Sequence, residues 1–104
     1  MQEVIFSEKG STLTAAPTCE VDHHTARPIR EKIDRELFRI RPDVLILDFS
    51  EVRFMDSSGI GLMIGRAEAA REVGCRVRIV GLSPVLMKIV RLSGIDRIDN
   101  IAIG

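Results

Sequence analysis

Phe54-Met55-Asp56-Ser57-Ser58-Gly59-Ile60-Gly61-Leu62 is the stretch on which the reading of this chain turns. A continuous apolar run, Val44-Leu45-Ile46-Leu47, leads toward it, and a segment with helical spacing leaves it. Two adjacent hydroxyls and a carboxylate therefore sit where a strand hands over to a helix. In α/β folds such junctions expose backbone N–H groups and reactive side chains.

Downstream, a helix is predicted from about Ser58 to Val73. Ile60, Met63, Ile64, Ala67 and Ala70 form its apolar stripe, and Arg66, Glu68, Arg71 and Glu72 its charged remainder. Gly74 ends it at C′. Gly59, Gly61 and Gly65 each weaken a helix by up to about 1 kcal/mol against Ala. Either they pack against the sheet or they admit a partner to the backbone; Gly65 reads as packing. Upstream, Val44 to Leu47 suits a central parallel strand covered on both faces.

Further back, Asp22-His23-His24-Thr25 reads as a helix start, since Asp and Thr both cap well. With Thr25 as the cap, Pro28 falls in the first turn, where its missing N–H has no partner to lose. Ala26, Ile29, Ile33, Leu37 and Phe38 share one face, and Pro42 stops the helix. Arg27 with Glu31, and Arg30 with Asp34, have i,i+4 spacing and read as a solvated face. Before it, Glu3 to Phe6 and Thr12 to Ala16 read as antiparallel strands about a Lys9-Gly10-Ser11 turn. Pro17 belongs at an edge, a bulge or the strand's end. After Gly74, Cys75 to Val80 alternates as a strand, and Ser83-Pro84 starts a helix running to Leu92. Val85, Leu86, Ile89 and Val90 form that helix's apolar side. Ile95, Ile98, Ile101 and Ile103 make a weak final strand. This order predicts an α/β fold, a small mixed sheet with a parallel core and helices packed on it, as one domain over residues 1–104. Right-handed crossovers would then bring Asp22-His23-His24 near Asp56-Ser57-Ser58.

The chain has 104 residues, 15 basic and 15 acidic, and is 45% hydrophobic but only 4% aromatic. The core must be aliphatic. Balanced charge argues against nucleic acid or an anionic membrane as the main partner. Cys19 and Cys75 fit no zinc or redox spacing. With no signal-like start and no apolar run near the roughly 18 residues that span a bilayer, a cytoplasmic protein with reduced thiols is expected.

Several chemistries can be weighed at the turn. A nucleophile elbow needs Gly two residues before its serine; Asp56 stands there before Ser58. Phosphate or nucleotide binding would use the helix N-terminus, but there is no Walker lysine and no Gly-x-Gly-x-x-Gly, and Asp56 repels anions. Cys19, Asp22, His23 and His24 match no zinc pattern. No cofactor and no metal are expected. A serine offered as a substrate fits: the helix dipole stabilises a phosphate placed there, and phosphorylation adds about −1.5 to −2 charges. The plainer alternative is that Ser57 or Ser58 only caps the helix, a contribution of roughly 1 kcal/mol. Chemistry alone leaves the two serines equivalent.

Phe54-Met55-Asp56-Ser57-Ser58-Gly59-Ile60-Gly61, together with Asp22-His23-His24-Thr25 and Ser83-Pro84, resembles the STAS-domain anti-sigma factor antagonists, most of all the sporulation type. The resemblance runs from the first strand to Leu92-Ser93-Gly94. It implies a non-enzymatic regulator whose dephosphorylated form binds an anti-sigma factor that is also a serine kinase, releasing a sigma factor. That kinase would use ATP to modify Ser58, with Ser57 as second choice, and a metal-dependent serine phosphatase would reverse the change. The docking surface would comprise Asp22, His23, His24, Met55, Asp56, Ser57, Gly59, Ile60 and Gly61. Cys19 stands where the family usually has Gly, Pro17 where it has a strand residue, and the family's final helix would follow Gly104. The alternatives are a STAS scaffold or sensor without a dedicated kinase, and a binder of a small anionic ligand or nucleotide.

Overall fold

The computed structural model describes residues 3–104. Two strands open the chain as an antiparallel hairpin, β1 (Val4–Lys9) and β2 (Thr12–Pro17), turned by Gly10 at φ 59°. Then follow α1 (Ala26–Ile40), β3 (Val44–Asp48), α2 (Ser57–Glu72), β4 (Arg76–Val80), α3 (Pro84–Leu92), a 3-10 turn (Ile95–Arg97) and β5 (Ile101–Ile103). The sheet order is β1-β2-β3-β4-β5, and β2 to β5 are mutually parallel. This is the expected mixed sheet with a parallel core. The final strand is real but short, because the 3-10 turn takes up Ile95.

Strand order follows chain order, so each right-handed crossover places its helix on the same side of the sheet. Leu13 and Ala15, Leu45 and Leu47, and Val77 and Ile79 point to that side and are buried. Ile29, Ile33 and Leu37 of α1 join Leu62, Met63, Ala67 and Ala70 of α2 in the same core. Each fully buried aliphatic side chain stabilises by about 2 kcal/mol. The opposite row, Thr14–Ile46–Arg78, runs across the face away from the helices. β3 is thus central but covered by helices on one face only, a correction to the two-sided expectation. Its apolar run does not alternate because neighbouring side chains half-shield Val44 and Ile46.

The helix limits follow the predicted signals. Ser83 accepts a hydrogen bond from the Leu86 N–H at 3.2 Å, with Pro84 in the first turn. Gly74 follows α2 at φ 68°. Arg41, just before Pro42, takes the left-handed conformation at φ 51° as it ends α1. Pro17 is the last residue of β2, where no further ladder donor is needed. The apolar faces are narrower than predicted. Phe38 and Ile89 are partly exposed and Val85 is mostly exposed, so α3 buries only Leu86 and Val90. In α2 the inward stripe is Leu62, Met63, Arg66, Ala67 and Ala70, and Ile64 faces out.

Candidate functional site

After β2 the chain makes one more parallel bridge, Val21 to Met55. The Val21 N–H donates to the Phe54 carbonyl at 3.1 Å, and the Asp56 N–H donates to the Val21 carbonyl at 3.1 Å. The two motifs are therefore hydrogen-bonded to each other, as the crossover argument required. This bridge sets the start of α1 beside the start of α2.

Each start is organised by an aspartate. Asp56 is extended (φ −98°, ψ −166°) and its Oδ1 accepts from the Ser58 N–H at 2.8 Å, capping α2. Ser57 and Ser58 are the first two helical residues, and neither hydroxyl has a hydrogen-bond partner among the described residues. The idea that a serine caps the helix is thus corrected. A residue already in helical geometry cannot turn its side chain back onto the next N–H groups, and Asp56 stands one step earlier in the extended geometry that can. At the other start, Asp22 Oδ1 accepts from the N–H groups of His24 (2.8 Å) and Thr25 (3.0 Å). These bonds hold the Asp22 carboxyl below its usual range. Thr25 does not cap with its hydroxyl; that group donates to the Glu20 carbonyl at 2.6 Å.

The predicted surface residues divide. Asp22 and Asp56 are half-buried at the rim; His23 and His24 are exposed, their rings 4.0 Å apart. Ser57 and Gly61 are exposed and Ile60 is partly covered. Met55 and Gly59 do not reach the surface, which corrects their place in the docking set. Met55 is 4% exposed, and a Cβ on Gly59 would lie 2.5 Å from its Sδ. Gly59 therefore exists to seat Met55. A Cβ on Gly65 meets nothing, so the packing role expected there is absent; Gly61 likewise has open space.

Ser58 differs from Ser57 in its surroundings. It lines a cleft of about 410 Å³ with His23, Ala26, Arg27, Arg30 and Leu62. From spacing alone, Arg27 and Arg30 read as plain solvated charge. Their sequence signal was available: arginines in the first two turns of a helix oppose its dipole, and α1 has no acidic residue in its first turn to offset them. Asp34 does not pair with Arg30 as spacing suggested. It turns to Arg66 of α2, Nε to Oδ1 at 3.1 Å. Arg66 is only 5% exposed, not part of a charged outer face. Burial lowers the Arg66 pKa and raises that of Asp34, each against its neighbour's attraction.

Among the described residues, no group of three His, Cys, Asp or Glu side chains is arranged to hold a metal ion. Cys75 is buried and its thiol is pushed up to about 11 by burial, while burial also raises that of Cys19. No described helix is long and apolar enough to cross a membrane.

The site is thus an aspartate-capped serine pair beside a second helix start, carried on a one-sided mixed α/β sheet. The chain belongs to the STAS domain family, which matches residues 4–102. It is 36% identical over 76 residues to an anti-sigma F factor antagonist of Lysinibacillus sphaericus, a match covering 73% of this chain and 65% of that one. The match thus spans just under two thirds of that relative. The solved structure of the anti-sigma factor antagonist SpoIIAA in its unphosphorylated form superposes with a TM-score of 0.80 at 28% identity, over 97% of this chain and 87% of that one. SpoIIAA of Bacillus in the phosphorylated form superposes with a TM-score of 0.72 at 28% identity, over 97% and 90%.

Proposed function

We propose that this chain is an anti-sigma factor antagonist of the sporulation type, acting in the cytoplasm as a non-enzymatic switch. Its dephosphorylated form binds an anti-sigma factor that is also a serine kinase and so frees a sigma factor. The kinase transfers phosphate from ATP to Ser58, and a metal-dependent serine phosphatase removes it. The observation that carries this reading is the uncapped Ser58 hydroxyl at the start of α2, with Asp56 doing the capping in its stead. A capping serine would be tied to backbone; this one can be given to another protein's active site without unwinding the helix. The relatives named as anti-sigma F factor antagonists support the same reading.

The docking surface would be Asp22, His23, His24, Asp56, Ser57, Ile60 and Gly61 around Ser58. A phosphate adds about −1.5 to −2 charges between two aspartates, and a partner fitted to the neutral hydroxyl would then meet a desolvated dianion. Incubation with the kinase and ATP, followed by mass-spectrometric mapping, should place one phosphate on Ser58. No phosphate, or phosphate away from Ser57 and Ser58, would sink the proposal. Ser58→Asp should lower partner affinity at least about tenfold, a loss of about 1.4 kcal/mol, without loss of fold. Ser58→Ala should bind but resist phosphorylation. Calorimetric titration of the partner reads both.

A further inference from the structure

We propose that a phosphate on Ser58 is gripped in cis by Arg27 and Arg30 of α1, across the cleft between the two helix starts. The inference rests on Ser58 being the phosphoacceptor. Arg27, Arg30 and Ser58 line one cleft, so the modified side chain and both guanidinium groups share a single space. Arg30 makes no ion pair among the described residues, and Arg27 reaches Glu31 only at 3.8 Å with both side chains largely solvated. Neither arginine has to leave a strong partner.

The other charged or titratable groups about this cleft are His23 in its lining, Asp22 and Asp56 at the two helix starts, Glu31 beside Arg27, and Asp34 with Arg66 between the helices, both of which feel the charge of Arg30. The two carboxylates at the helix starts are already occupied by backbone N–H groups. Neither α1 nor α2 has an acidic residue in its first turn, so no carboxylate within either helix start competes for the arginines. A phosphate brings three strong acceptors to a planar fork of donors, a better match than a single distant carboxylate. The cleft lining itself holds two guanidinium groups and no carboxylate, and a phosphate on Ser58 gives both an anionic partner. Two consequences follow. Modification withdraws Arg27 and Arg30 from the docking surface as well as adding negative charge. The phosphate is also sheltered, so a phosphatase must displace the arginines before it can act.

The test uses full-length protein with phosphoserine inserted at position 58 during translation, so that no kinase is needed. The phosphate's second ionisation is followed by phosphorus NMR in the parent, in Arg27→Gln/Arg30→Gln, and in Arg35→Gln, which removes a charge from α1 outside the cleft. All three substitutions are at exposed positions, and melting of the unmodified proteins checks that they fold. The parent midpoint should lie about half a pH unit or more below that of the double variant, with Arg35→Gln like the parent. Equal midpoints in parent and double variant would overturn the proposal, as would an equal shift from Arg35→Gln, which would mark general net charge. Failure of a kinase to modify Ser58 would instead count against the switch itself and leave this titration readable.

Discussion

Two aspartates do at side-chain scale what defines the site. Asp56 caps α2 by accepting the Ser58 N–H, which leaves both serine hydroxyls unbonded among the described residues, and Asp22 closes the turn that carries His23 and His24. Because the folded Asp22 carboxyl sits below its ordinary value of 3.8, its contribution to stability is present above that value and is lost as pH falls through the lower, folded one. The raised Asp34 carboxyl acts in the opposite sense: its contribution is present at low pH and lost as pH rises. We therefore expect Asp22→Ala to destabilise at pH 7 and to differ less from the parent near pH 3. Urea midpoints at both values check this; a gap that widens on acidification would contradict it. That Asp22, Asp56 and Ser58 meet at two adjacent helix starts was legible in the sequence. Their division of labour was not, since capping depends on which residue is extended and which is already helical. Nor was the difference between the serines, which lies in a cleft wall supplied by another helix.

At the scale of the element, α2 is the informative case. Its first half, up to Gly65, carries no charge on any side, so Ile60 and Ile64 counted as plausibly as Leu62 and Met63 toward its inward stripe, and periodicity could not choose. Its glycines now separate. Gly59→Ala should lower stability, because the new Cβ collides with Met55. Gly61→Ala and Gly65→Ala should raise it, by up to about 1 kcal/mol each, since both have open space. Thermal melting ranks the three. If Gly61→Ala melts higher yet binds the proposed anti-sigma partner more weakly, that glycine serves the partner's close approach. The capping signals Ser83-Pro84 and Gly74 were legible because they act within a few residues of chain.

For the molecule as a whole, two long-range contacts hold the site in place. The Val21–Met55 bridge ties the helix starts together. The amides of Val21 and Asp56, though outside regular strands, should exchange with solvent as slowly as those of β3; hydrogen exchange followed by NMR reads this, and rapid exchange at both would mean that the helix starts move independently. Farther along, Arg66 and Asp34 join α1 to α2. Arg66 Nε and Nη1 find no hydrogen bond among the described residues, so this pair is costly to bury and more costly to break. Asp34→Ala should destabilise by about 3 kcal/mol, and adding Arg66→Met should recover most of that loss. Chemical denaturation of the single and double variants checks it; additive losses would contradict the coupling.

By itself the sequence determined the element order, the mixed sheet, the turn carrying the serines and the helix-start motif that accompanies it. These rest on local rules: period-2 and period-3.6 apolar spacing, proline and glycine punctuation, and capping residues near their helices. Only the tertiary structure decided that all helices share one face, that Asp34 pairs with a buried Arg66 and not with Arg30, that Met55 and Gly59 lie inside, and that Arg27 and Arg30 line one cleft with Ser58. Each of these depends on which groups from distant stretches exclude water together, and spacing along one segment carries no information about that.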